Sequence, residues 1–204
     1  MSEYFKEIKF IGSFPDVDGC PKNKLNEYAF IGRSNVGKSS LINYLSNHAS
    51  LAKTSKKPGK TQLINMFNVD DSWSMVDLPG YGYAVASKKN RHLWKKMIYG
   101  YLESRDNLIN TFVLLDSRLE LQKIDLEFIN WLGSKGIPFS IIYTKIDGIT
   151  RSKLDFHIER IQNALLEYWR ELPPQFISSS TNKEGREEIM EFISETNSSL
   201  NEKK

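Results

Sequence analysis

The octapeptide Gly32-Arg33-Ser34-Asn35-Val36-Gly37-Lys38-Ser39 constrains this chain more than any other feature. It matches G-x-x-x-x-G-K-[ST], a loop whose glycines let backbone N–H groups turn inward around phosphate oxygens. Lys38 adds a point charge at the β- and γ-phosphates, and the Ser39 hydroxyl suits Mg²⁺. The N-terminus of a following helix favours the same anion. Such a loop needs a strand before it and a helix after it. Both are expected: Glu27–Gly32 is a compact apolar run, and Lys38–Ser46 carries Leu41, Ile42 and Leu45 at helical spacing. An ordinary glycine-rich strand-to-helix turn is the alternative, and the eight-residue match in this context argues against it. Gly32 to Ser40 is therefore the candidate phosphate-binding segment.

The remaining segments extend the same alternation. Strands are expected at Phe5–Ile11, Thr61–Val69, Ser72–Val76, Thr111–Asp116, Phe139–Tyr143 and Gln175–Ser178. Helices are expected at Lys88–Ser104, Ile124–Ser134, Leu154–Glu171 and Glu184–Thr196, and Asp70-Asp71 suits a hairpin turn. Continuous apolar strands separated by helices indicate an α/β fold with a mostly parallel sheet covered on both faces. One domain is expected: residues 1–26 join a unit spanning 27–196, and 197–204 form a frayed tail. A single cysteine among 204 residues excludes an internal disulfide framework. No apolar run reaches the ~18 residues of a membrane span, and the N-terminus lacks a signal-peptide core. A reducing cytoplasm is the expected location.

The base is chosen by Thr144-Lys145-Ile146-Asp147, directly after the buried run FSIIY at the edge where α/β sheets bind ligands. Guanine presents a ring N–H and an exocyclic NH₂ side by side, and an ionised Asp147 accepts both; adenine has no such donor pair. Lys145 can lay its methylene stem over the ring. A helix-capping loop is the alternative for this tetrapeptide in isolation. Backbone N–H groups of Ser178, Ser179 and Ser180 could meet the guanine carbonyl, unless they form only a polar turn. Asp77-Leu78-Pro79-Gly80 matches D-x-x-G, with Asp77 holding Mg²⁺ through a water and the Gly80 N–H sensing the γ-phosphate. Gly59-Lys60-Thr61, followed by Gln62 and Leu63, supplies the partner loop, in which Thr61 completes the Mg²⁺ shell beside Ser39 and Asp77. Both loops would be ordered by the γ-phosphate and released on hydrolysis.

These elements, from Gly32 to Thr181, resemble a small TRAFAC-class GTPase. The wording GRSNVGKSSLIN, KPGKTQLINMFNV, VDLPGYGYA and TKID is similar to the EngB (YihA/YsxC) family of bacterial GTPases. The stretch PGYGYA discriminates best, because other small GTPases differ there. The resemblance implies a Ras-like fold with one antiparallel strand, Mg²⁺-dependent binding of GTP and GDP, and a role in assembling the large ribosomal subunit. It also implies a requirement for normal division and septation. Threonine at 144, where asparagine is commoner, is what this family shows; it should cost one amide interaction.

Small GTPases often orient the attacking water with a Gln just after D-x-x-G. Here that residue is Tyr81, and nothing in Tyr81–Ala84 offers an amide. Hydrolysis by the isolated protein should be slow, with Lys38, Thr61, Gly80 and Asn35 as the catalytic candidates. Asn35 either helps bind K⁺, as in some related GTPases, or stabilises a turn. Net charge is only +3, but Lys53, Lys56, Lys57 and Lys60 cluster without an acid, as do Lys88, Lys89, Arg91, Lys95 and Lys96. These stretches flank both presumed switches and suit rRNA phosphates. Trp94, Tyr99 and Tyr101 are expected to be helix core rather than base-stacking platforms. The histidines do not cluster with Cys20, so no zinc site is expected. The partner expected is the large ribosomal subunit or its precursors rather than DNA, with the chain as a monomer. A P-loop kinase and a division-associated binding module are the rival readings.

Overall fold

The structure, a computed structural model, describes residues 4–52, 62–82 and 88–202, and for 88–91 the backbone alone. Among these residues seven strands form one sheet: β1 (Ile8–Phe14), β2 (Asn26–Gly32), β3 (Ile64–Val69), β4 (Trp73–Asp77), β5 (Leu108–Asp116), β6 (Phe139–Thr144) and β7 (Gln175–Ser178). The spatial order is β1-β3-β4-β2-β5-β6-β7. Only β3 runs against the others, paired antiparallel to β1 and β4, while β4, β2, β5, β6 and β7 are mutually parallel. Among the described residues five α-helices complete the fold: α1 (Lys38–Leu45), α2 (Lys88–Ser104), α3 (Lys123–Ser134), α4 (Arg151–Leu166) and α5 (Arg186–Asn201).

The period-2 alternation of each strand feeds two cores. On one face Ala29, Ile31, Val113, Leu115, Ile141 and Tyr143 meet α2, α3 and α4 through Tyr101, Phe128, Ile129 and Leu165. On the other, Tyr28, Phe30, Phe112, Leu114 and Ile142 meet α1 and α5 through Leu41, Ile42, Leu45, Ile189 and Ile193. Each such aliphatic side chain contributes roughly 1.5–3 kcal/mol by leaving water. With both faces covered, the sheet leaves its C-terminal edge, where the loops gather, as the place for polar chemistry.

Several boundaries differ from the sequence expectation. β1 starts at Ile8, because the N–H groups of Lys6 and Glu7 bond the Asp70 carboxylate instead of a neighbouring strand. It continues to Phe14 past an irregularity between Phe10 and Gly12, which breaks the alternation there. β5 begins three residues early, where the polar Asn110 accepts the Ser140 hydroxyl of β6. α4 begins at Arg151, with Thr150 as its N-cap, and stops at Leu166 rather than Glu171. α5 starts after Gly185 and runs to Asn201, so the helix takes in 197–201 of the expected tail. Asn197 ties that end down by accepting from Asn26 Nδ2 and the Tyr28 hydroxyl. The β3–β4 turn is as expected: Asp70 and Asp71 take φ of 50° and 51°, the left-handed pair that a tight hairpin requires. Tyr101 is fully buried, and Tyr99 packs against Trp131 with the rings tilted at 58°, so both belong to packing. No helix among the described residues is long and apolar enough to cross a membrane.

Candidate functional site

The phosphate-loop segment joins β2 to α1. Gly32 must be glycine, since a Cβ there would lie 2.8 Å from the Leu114 carbonyl oxygen and 2.9 Å from the Val36 side chain. Gly37 caps α1 at φ 107°, a conformation that L side chains rarely adopt. Asn35 takes φ 64° and is exposed, a posture that Asn tolerates in a turn. Ser39 and Ser40 are half-buried in the first turn of α1. Lys38 points inward, and its ammonium pairs with the Asp77 carboxylate at the end of β4. Both are buried, at 8% and 2% exposure, and Asn65 of β3 donates to the second Asp77 oxygen at 3.3 Å. A buried carboxylate beside the helix that carries Ser39 is an oxygen donor set suited to a hard divalent cation.

The D-x-x-G turn lies directly on the phosphate loop. A Cβ on Gly80 would stand 2.8 Å from the Gly32 carbonyl oxygen and 3.3 Å from Ser34 N. Leu78 and Pro79 are buried, and the Leu78 N–H donates to Phe30 O at 3.0 Å. The side chain of Leu78 is core, so any contact it makes with a nucleotide must come from its backbone. Gln62 and Leu63 are exposed just before β3, whereas Gly59, Lys60 and Thr61 lie outside the described residues.

At the other end of the same edge, the Thr144-Lys145-Ile146-Asp147 turn closes over the phosphate loop. The Thr144 hydroxyl donates to Val36 O at 2.6 Å and lies 3.1 Å from Leu115 O. Threonine here thus supplies a tie to the phosphate-loop backbone. Lys145, at φ 61°, sends its ammonium to Asn35 O and, at 3.0 Å, to Asp116 at the end of β5. Its stem passes 3.5 Å from where a Cβ on Gly37 would stand. Ile146 is buried and holds the turn in place. Asp147 accepts the Ser179 hydroxyl at 2.6 Å, which brings the β6 and β7 loops together. The Ser179 N–H is already bonded to Glu184 O, and the Ser178 hydroxyl donates to the same oxygen. Of the three serines, Ser180 is the exposed one.

Tyr81 does not face the phosphates. It is buried, stacks on Phe128 at 4.4 Å, and donates its hydroxyl to Asp125 Oδ1 at 2.9 Å. Burial first, and then the neighbouring Asp125 charge, push the phenol well above its usual pKa, so it stays protonated. Arg33 also turns away from the loop, with Nε 3.1 Å from Asp125 Oδ2. Burial raises the Asp125 pKa against the lowering influence of Arg33, Tyr81 and the Gln122 N–H.

Four residues at this edge were not singled out by sequence reasoning: Asn65, Asp116, Arg118 and Asp125. Asp116 receives both Arg118 Nε and Nη2 at 2.8 Å as well as Lys145. Burial would raise its pKa, but these cationic partners outweigh it and hold the carboxyl below the ordinary value. The signal was the charged residue closing the apolar run TFVLLD at a ligand-binding edge.

A family model described as "50S ribosome-binding GTPase" matches residues 27–145. The chain is 54% identical over 195 residues to a probable GTP-binding protein EngB of Porphyromonas gingivalis, covering 96% of this chain and 97% of that one. A probable GTP-binding protein EngB of Christiangramia forsetii is 52% identical, with 96% and 98% coverage. Among solved structures, a probable GTP-binding protein engB superposes with a TM-score of 0.68 at 23% identity, covering 85% of this chain and 99% of that one. Era, in complex with MgGDPNP and nucleotides of 16S ribosomal RNA, superposes with a TM-score of 0.64 at 22% identity, covering 84% and 56%. At such identities the two superpositions speak to the fold.

Proposed function

The chain belongs to the EngB family of GTP-binding proteins, which are GTPases, and on that premise we propose a slow, Mg²⁺-dependent GTP switch acting in assembly of the large ribosomal subunit. The observation that carries the proposal is the convergence of the Gly32–Ser40 loop, Asp77–Gly80, Thr144–Asp147 and Ser178–Ser180 on one sheet edge, tied by Lys145 to Asn35 O and by Ser179 to Asp147. On this reading Gly32 to Ser40 cradle the phosphates, and Lys38 leaves Asp77 for the β- and γ-oxygens. Ser39, Asp77 and Thr61 hold Mg²⁺, which when bound neutralises charge on the phosphates. Gly59 to Leu63 and Gly80 read the γ-phosphate. Asp147 takes the guanine donors, Lys145 lies along the ring, and the Ser180 N–H faces the guanine carbonyl. With Tyr81 committed to Asp125, no side chain at that position orients the attacking water, so turnover stays low.

The ribosomal role is supported by the description of the matching family and by the two acid-free lysine stretches beside the switches. A need for the protein in division and septation would follow from that role. The test is sedimentation with purified 50S and 30S subunits across a salt series. Binding to 50S should be stronger with a non-hydrolysable GTP analogue than with GDP, and should weaken steeply with salt, because releasing condensed counterions gains less free energy as bulk salt rises. Binding indifferent to nucleotide would remove the switch. Binding to neither subunit would favour a division-associated module.

A further inference from the structure

We propose that Asp125 is a positioning residue for the triphosphate: its carboxylate latches the turn after β4 to the phosphate loop and thereby sets where Gly80 stands. The proposal rests on the reading of Gly80 as a γ-phosphate sensor.

The carboxylate is 1% exposed and gathers donors from three segments. The Tyr81 hydroxyl reaches Oδ1 at 2.9 Å from the turn after β4. Arg33 Nε lies 3.1 Å from Oδ2, reaching across from the phosphate loop. The Gln122 N–H reaches Oδ2 at 3.2 Å from the start of α3 itself. A carboxylate this deeply buried is costly unless its oxygens are bonded, so each donor is held to its place by the others. Its position in the first turn of α3 adds favourable interaction with the helix N-terminus.

What the latch fixes is visible in the backbone. Arg33 and Tyr81 form an isolated parallel bridge between the two loops. Gly80, next to it, stands so close to Gly32 O that a side chain has no room. Stacking on Phe128 holds the Tyr81 ring from the other side. Immediately beyond, Gly82 takes φ 77°, with Ile124 of α3 2.9 Å from where its Cβ would be. Residues 80–82 are thus registered on the phosphate loop and α3 together. The base-end residues Lys145 and Asp147 take no part in this network. A guanine diphosphate therefore does not depend on the latch, whereas a γ-phosphate that must meet the Gly80 N–H does.

Tyr81→Phe is the sparing test, because it deletes only the hydroxyl and keeps the ring on Phe128. The affinities of full-length wild type and variant for GDP and for a non-hydrolysable GTP analogue are compared by titration in Mg²⁺, with thermal unfolding as a folding control. The latch predicts a loss of roughly tenfold for the triphosphate analogue, the scale of one hydrogen bond to a charged group, and unchanged GDP affinity. Arg33→Gln and the double variant complete a cycle. Because Arg33 and Tyr81 share one carboxylate, their effects on the analogue should be non-additive. Equal losses for GDP and the analogue, no loss for either, or strict additivity would each overturn the latch. Thr61→Ala, measured alongside, separates the two readings. If it abolishes the preference for the analogue while Tyr81→Phe leaves it intact, the γ-phosphate switch stands and the latch fails. If Thr61→Ala changes nothing, the switch reading itself fails.

Discussion

Replacing Asp116 by alanine removes the carboxylate that steadies Lys145, and the structure sets the size of the effect. Asp116 is 6% exposed, while the side chains of its partners Arg118 and Lys145 are 44% and 28% exposed. Exposed ion pairs contribute about 0.2–1 kcal/mol, and stripping one partner from a fully buried pair costs about 3–5 kcal/mol. One buried end facing two half-exposed ends places the loss of stability near 2 kcal/mol. For a chain of this length that lowers the melting temperature by about 4–8 °C. Arg118 can turn to solvent, but among the described residues Lys145 keeps only Asn35 O as an anchor. If about 1.4 kcal/mol of that loss falls on nucleotide binding, dissociation constants rise roughly tenfold. GDP and a GTP analogue should suffer alike, since Asp116 bears on the base end. Asp116→Asn, which keeps one acceptor, should fall between. The carboxyl's pKa is lowered in the fold, so its contribution is present above the ordinary value of 3.8 and is lost as pH falls through the depressed value. The stability gap between wild type and Asp116→Ala should therefore narrow in strong acid. Titration with a fluorescent guanine nucleotide near pH 7 measures the affinity, and thermal melts from about pH 7 down to about pH 2 measure the stability gap. A lower melting temperature with unchanged affinity would refute the link to Lys145, and a loss confined to the triphosphate would put the residue at the wrong end of the site.

Two further outcomes are expected. Asp147→Asn keeps an acceptor for the Ser179 hydroxyl but presents an NH₂ to the guanine donors; affinity should move from GTP toward XTP, by up to ~10⁴-fold in ratio, and unchanged GTP affinity would take Asp147 out of the base site. Basal hydrolysis should be ~10⁻⁴–10⁻³ s⁻¹, as in unassisted small GTPases; if Asn35 helps hold K⁺, exchanging Na⁺ for K⁺ should raise that rate in the wild type and not in Asn35→Ala, whereas equal rates in both salts would leave Asn35 as a turn residue.

What could be read from the sequence was whatever a local rule enforces. Gly37 at φ 107° and Asp70-Asp71 near +50° are positions where a loop or turn dictates residue type, and a motif or a dipeptide betrays them. The strands were legible because burial on both faces makes them continuous apolar runs. The boundaries that moved did so for non-local reasons: Asp70 reaches back to the N–H groups of Lys6 and Glu7, and Asn197 is anchored by Asn26 and Tyr28 from the other end of the chain. The site divides the same way. Its phosphate and base segments are contiguous words, so they could be found. Asp125 is a single acid in an unremarkable stretch, and Asp116 shows only as the charge that closes the run TFVLLD, beside Arg118. Their partners stand 29 residues away for Asp116 and Lys145, and 44 residues away for Asp125 and Tyr81. The sheet order, which sets β5 beside both β2 and β6, brings Lys145 to Asp116, and the packing of α3 against the turn after β4 brings Tyr81 to Asp125. The contiguous words bear the groups that touch a nucleotide. The scattered acids bear on where those groups stand, so substituting them should shift affinity and nucleotide preference while leaving every recognisable motif intact.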